Sequence, residues 1–171
     1  MAGIDFEIKP ADVEESAPHR DPGQFVRHLA EKKATAIAKY EKHPVIGCDT
    51  VVVLDGRILG KPVDRADAQR MLHDLSGRIH EVYTGVCVMD PSDGRILTDH
   101  RRSSVWMRNL TGKEILDYIE SEEPMDKAGS YAIQGQGAVF IEQIQGDYFC
   151  IVGLPLELLF SMLQKFGVLE M

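Results

Sequence analysis

No apolar run in this 171-residue sequence reaches the roughly 18 residues that a membrane-spanning helix needs. The opening residues, MAGIDFEIKP, lack the basic stretch and apolar core of a secretory signal, so the expectation is a cytoplasmic protein with no membrane partner. Cysteine is scarce and odd in number. Cys48, Cys87 and Cys150 are widely spaced, each in an apolar stretch, which reads as reduced buried thiols and not as a disulfide framework. The six histidines show no H-x-H spacing and the cysteines no C-x-x-C, which argues against an ordinary structural zinc site. No G-x-S-x-G elbow supports covalent serine catalysis of that type. Basic residues are in deficit, 19 against 27 acidic ones, for a net charge of -8. A surface of that sign disfavours a nucleic-acid duplex or an anionic membrane as the main partner, while a local lysine pocket for a phosphorylated small molecule stays compatible with it. Repeats and low-complexity linkers are absent. What is present is ordinary for one globular domain: 44% hydrophobic and 27% charged residues.

The periodicity alternates between strands and helices. Residues 4–9 (IDFEIK) alternate apolar and polar, which predicts a half-buried strand. Asp21-Pro22 is a helix start, and the helix is expected to run to about Tyr40, with the stripe Phe25, Leu29, Lys33, Ile37 flanked by Val26, Ala30 and Ala34. Residues 45–54 (VIGCDTVVVL) read as a nearly continuous apolar strand that turns at Asp55-Gly56 into Arg57–Leu59. Asp64 caps a helix over 65–75 that ends at Gly77; residues 79–89 form a strand, and 95–108 one or two more. Thr111-x-x-Glu114 is a capping box for a helix to about Ser121. Residues 131–152 read as glycine-punctuated strands, and Leu156–Phe166 as a closing helix. The class is α/β, a mixed sheet with flanking helices and not a pure βαβ series.

Asp49 stands out, because it lies between apolar neighbours and shares a strand face with Val45, Gly47, Val51 and Val53. A buried carboxylate without a partner costs several kcal/mol or changes its pKa. Asp49 is therefore either a strand-break residue bonded to backbone or a carboxylate set to bind a metal or accept a proton, with Gly47 leaving room beside it. Lys33 occupies a stripe position, either snorkelling or aiming its ammonium inward at a phosphate or carboxylate. Lys61, in GRILGK (56–61), is an exposed turn lysine or a single phosphate contact. The segment fails the Walker pattern: three residues separate the glycines where four are required, and Pro62 replaces the Ser or Thr. Gly135-Gln136-Gly137 likewise fails the dinucleotide fingerprint, whose third glycine would fall at Phe140. Asp12, Glu14 and Glu15 are a solvated acidic loop unless the fold brings them to Asp49, where two carboxylates suit magnesium.

Six blocks, in order over nearly the whole chain, resemble the Maf family of nucleotide pyrophosphatases. They are Leu29-Ala30 with Lys33-Ala34, VIGCDTVV (45–52), GKPVD (60–64), LSGRIHEVYT (75–84), EPMDKAGSYAIQG (123–135), and GDY followed by VGLP (146–155). The resemblance implies a two-lobed α/β fold, like that of inosine triphosphatases, with a cleft between the lobes. It implies hydrolysis of a nucleoside triphosphate to the monophosphate and pyrophosphate, with magnesium or manganese as divalent cofactor. It implies catalytic Asp49, Glu15, Lys33 and Lys61, of which Asp49 and Glu15 also bind the metal, and substrate contacts at Thr50, Gln134, Asp64 and Lys127. The IQG glutamine resembles the branch acting on dTTP and UTP, and the family favours a homodimer. The family's S-x-S-P-R-R loop is not found in this sequence, so residues 1–171 are expected to form a single domain shortened at its N-terminus. That departure keeps a second expectation open: a catalytically impaired nucleotide-binding or protein-interaction member linked to septum formation.

Overall fold

The computed structural model describes residues 5–18 and 21–169. Asp21 caps the first helix by accepting from the Gln24 N–H, and α1 runs over Pro22–Ala38. There follow β1 (Val45–Leu54), β2 (Arg57–Leu59), α2 (Arg65–Leu75), β3 (Ile79–Met89) and β4 (Ile96–Met107). The last elements are α3 (Gly112–Glu120), β5 (Ile141–Gln145), α4 (Tyr148–Val152) and α5 (Leu156–Lys165). The five strands form one sheet in the order β2-β1-β3-β4-β5, and each described pairing is antiparallel. Asp55 and Gly56 both have positive φ (50° and 75°), the primed-turn geometry that closes the β1–β2 hairpin. Among the described residues no helix is long and apolar enough to cross a membrane.

One sheet face carries α1, whose Val26 packs on Val51 and Val53, with Ala30 and Ala34 beside Cys87. Two glycines permit this contact. A methyl added at Gly47 would lie 2.1 Å from the Ala30 carbonyl oxygen, and one at Gly85 2.4 Å from that of Val26. The opposite face holds α5 over Val86 and Val88 at one end. At the other end α2, α3, Tyr131 and Phe140 form a second lobe around Val52, Leu54, Val82 and Val105.

Three expectations need correction. Residues 5–9 form no strand, and Ile4 lies outside the described residues. Alternation supplies a face but not a pairing partner, so Phe6 and Ile8 stand exposed while Lys9 is tied to Glu41 at 2.6 Å. The buried face of α1 is Val26, Leu29, Ala30, Ala34 and Ala38, which places Lys33 on its shoulder and not at its centre. Within 131–152 only Ile141–Gln145 is a strand. Gly135 (φ 103°) and Gly153 (φ 108°) turn the rest into a short 3-10 segment (Gln136–Phe140) and α4. Residues 96–107 form a single strand. The three cysteine thiols are free, Cys87 and Cys150 fully buried.

Candidate active site

β2 pairs with residues 52–54 of β1, so among the described residues the β2-side edge of the first part of β1 borders a cleft, while its other edge pairs with β3. This cleft has a volume of about 420 Å³ and is reached from α1, both faces of β1, the turn after β2, the segment 126–134 and the end of α4. That volume lies in the usual range for small-molecule sites, about 300–1,000 Å³.

Its charged centre is built from segments far apart in sequence. Asp49 on β1 accepts a hydrogen bond from Lys33 Nζ of α1 at 2.6 Å. The same ammonium meets Glu15 Oε1 at 2.9 Å, and Glu15 Oε2 lies 3.8 Å from Lys61 Nζ. The α1–β1 packing fixes this triad, because Lys33 precedes Ala34 on the helix and Asp49 follows Gly47 by two residues on the strand. Among the described residues Asp49 Oδ2 has no hydrogen-bond partner and is left to the cleft.

Burial raises the Asp49 carboxyl above the ordinary carboxylate range, against the opposing pull of Lys33. Burial also works against the Lys33 ammonium, but Asp49 and Glu15 outweigh it and raise its pKa, so it stays charged. Lys33 holds Glu15 below the ordinary range. Cys48, also in the lining, is pushed by burial up to about 12, which removes it as a thiolate nucleophile.

Of the sequence-predicted residues, Asp49, Glu15, Lys33, Lys61, Thr50, Gln134 and Lys127 all line the cleft. Asp64 is not among the lining residues; its carboxylate caps α2, accepting from the Asp67 N–H at 2.7 Å. Asp12 is exposed, and Glu14 contributes only a carbonyl, which accepts from Lys32 Nζ at 2.7 Å. Sequence reading missed Asp126, paired with Lys127, and Tyr131, whose hydroxyl lies 2.7 Å from Nε2 of buried His80. Both fall inside the quoted 123–135 block, but nothing in their spacing singles them out. It also missed Glu123, which accepts from the Gln136 and Gly137 N–H groups and from the Tyr118 hydroxyl, anchoring the turn just after Gln134.

The charged lining residues balance, Lys33, Lys61 and Lys127 against Glu15, Asp49 and Asp126. Among the described residues, therefore, a polyphosphate would find no excess positive charge in the lining. Among the described residues no cluster of three or more His, Cys, Asp or Glu could hold a metal unaided. Two convergent carboxylates are nonetheless the donor set that fits magnesium, which binds one or two carboxylates and completes its shell with water and phosphate oxygens.

Comparison with known proteins points the same way. Residues 1–166 match the family model described as Maf-like protein. Named dTTP/UTP pyrophosphatases are similar along their length. That of Dictyoglomus turgidum is 48% identical over 168 residues, covering 96% of this chain and 87% of the relative. That of Acetivibrio thermocellus is 48% identical over 175 residues, covering 97% and 87%. That of Thermoanaerobacter sp. (strain X514) is 44% identical over 165 residues, covering 95% and 86%. A family match over almost the whole chain, with relatives this close and the six sequence blocks gathered at one cleft, establishes that the chain belongs to the Maf-like protein family.

Proposed function

We propose that this chain hydrolyses nucleoside triphosphates, dTTP and UTP foremost, to the monophosphate and pyrophosphate. The observation that carries the reading is the meeting of Asp49, Glu15, Lys33 and Lys61, four separate sequence segments, at one nucleotide-sized cleft. The names of the relatives supply the substrate class.

In this reading Asp49 is the general base. Burial raises its pKa and so makes it a better proton acceptor than an exposed carboxylate, and Lys33 fixes its orientation. A water held at Asp49 Oδ2 attacks the α-phosphorus, its proton passes to the carboxylate, and the bond from the α-phosphorus to the bridging oxygen breaks. Pyrophosphate leaves with that bonding pair. Lys61 and Lys127 contact phosphate oxygens as charge develops. A divalent cation, Mg²⁺ or Mn²⁺, would be held by Asp49 and Glu15 and, when bound, neutralises polyphosphate charge. Gln134, exposed in the lining, offers an amide that both donates and accepts, suited to a pyrimidine edge, with Thr50 beside the same space.

Pyrophosphate and monophosphate formed from dTTP and UTP, with magnesium or manganese present, are the test. Stoichiometric release of both supports the reading. Binding of UMP without release of pyrophosphate from either triphosphate refutes it.

A further inference from the structure

The base-reading end of the cleft contains a hydroxyl chain whose direction is fixed by chemistry. Thr50 on β1 and Thr84 on β3 are directly opposed in the antiparallel ladder. Their Oγ1 atoms are 2.8 Å apart. Thr84 Oγ1 also lies 2.7 Å from the carbonyl oxygen of Cys150 in α4, and Thr84 is completely buried. A carbonyl cannot donate, so the one hydrogen of the Thr84 hydroxyl is committed to Cys150. The hydrogen between the two threonines must therefore come from Thr50. Its hydrogen thus spent, Thr50 Oγ1 can offer the cleft only lone pairs.

The far end of the chain is held firmly. α4 is capped by Asp147, whose N–H donates to Ser103 Oγ and whose carbonyl accepts from it, both at 2.9 Å. The Cys150 carbonyl also accepts the Gly153 N–H at 3.2 Å, and a methyl built on Gly153 would sit 3.4 Å from Thr50 Oγ1. Thr50 points to the face of β1 opposite Asp49, away from the carboxylate–lysine cluster and hence away from the phosphates.

We infer that Thr84 is a positioning residue that locks Thr50 as a hydrogen-bond acceptor, so that the cleft selects a pyrimidine carrying a hydrogen on N3. This rests on the proposed hydrolysis of pyrimidine triphosphates and adds the residue that sets their selection. Uracil and thymine present an N3–H to Thr50, leaving the Gln134 amide for a ring carbonyl. Cytosine presents an N3 lone pair, so two acceptors face each other without a proton. A site organised around one polar group rejects the mismatched analogue by several powers of ten at best.

The test compares UTP with CTP in turnover, and UMP with CMP in calorimetric binding. The wild type is expected to favour the uracil nucleotide by about 100-fold or more in both. Thr84→Val keeps the shape but frees the Thr50 hydroxyl to rotate and donate. It should bring the preference to within about tenfold, with kcat/KM for CTP rising. Thr84→Ser should restore the wild-type ratio, and Thr84→Val should add nothing in a Thr50→Val background. Equal losses for UTP and CTP in Thr84→Val, or equal binding of UMP and CMP by the wild type, overturn the inference. A wild type that prefers UMP yet releases no pyrophosphate refutes the hydrolysis and leaves this selection standing. Neutron diffraction of the deuterated wild type reads the chain without any variant. Deuterium on Thr50 pointing to Thr84, and on Thr84 to Cys150, supports the inference; the reverse order overturns it.

Discussion

Replacing Gly47 by alanine tests whether the close approach of α1 to β1 is what assembles the catalytic cluster. The added methyl would lie 2.1 Å from the Ala30 carbonyl oxygen, 2.8 Å from the Ala34 nitrogen and 3.0 Å from the Ala34 Cβ. The two nearest atoms belong to the helix backbone and cannot rotate aside. Ordinary contact begins near 3.4 Å, so the helix must withdraw by about 1.3 Å. Overpacking of this kind costs about 1–3 kcal/mol. At roughly 2–4 °C per kcal/mol for a chain of this size, the Tm should fall by about 2–12 °C. The functional consequence is larger. Lys33 rides on the withdrawing helix and Asp49 on the strand, so a 2.6 Å hydrogen bond is stretched beyond reach. Misplacement of a catalytic group by about 1 Å can cost on the order of 100-fold in rate. Circular-dichroism melting and pyrophosphate release from UTP provide the two readings, with Gly112→Ala as control, since a methyl there meets nothing within 4 Å. A Gly47→Ala protein with the wild-type Tm and turnover would refute the claim that this contact holds the pair.

Four further outcomes are expected. Asp49→Asn should lower turnover by at least about 10³-fold, in the range of lost general-base catalysis, while melting shows an intact fold because Lys33 retains Glu15; wild-type rates would remove Asp49 from the mechanism. In the metal-free protein the Asp49 carboxyl, followed by NMR, should titrate above its ordinary 3.8 because burial raises it; titration at or below that value contradicts the buried placement. Gln134→Glu should sharply reduce dTTP turnover, and unchanged kinetics would exclude Gln134 from base reading. Glu114, held by Arg108 and the Thr111 cap at a pKa of about 2, contributes stability that is present above its ordinary 4.5 and lost as pH falls through about 2. Melting across that window should show the loss in the wild type and a flatter profile in Glu114→Gln.

The secondary elements that were legible in the sequence carry their own local instructions. Asp21-Pro22, Asp64 and the Thr111–Glu114 box cap α1, α2 and α3 at the residues expected, because a cap is a bond within a few residues of chain. VIGCDTVVVL and Asp55-Gly56 similarly specify a buried strand and its turn. Residues 4–9 show the limit. Their alternation is genuine, but pairing depends on a sheet edge that no local pattern supplies, and residues 5–9 stay irregular.

The candidate site divides along the same line. Sequence marked Asp49 as a carboxylate out of place in an apolar strand, Lys33 and Lys61 as phosphate contacts and Glu15 within an acidic cluster, while resemblance brought Thr50, Gln134 and Lys127 to attention. It could not separate a solvated Glu15 from one that reaches Lys33, since that depends on the segment before α1 lying alongside the helix. Nor could it place Asp64, whose carboxylate caps α2 outside the cleft lining. The polarity of Thr50 was wholly hidden. A hydroxyl donates or accepts according to its partners, and those partners, Thr84 and the Cys150 carbonyl, lie 34 and 100 residues away in sequence but meet in the folded sheet. The sequence by itself determined which groups this protein possesses and where α1, α2, α3, α5 and most of its strands begin. Only the tertiary structure decided which of those groups share a proton, because hydrogen bonds and ion pairs act over about 3 Å and the chain must fold before distant residues come that close.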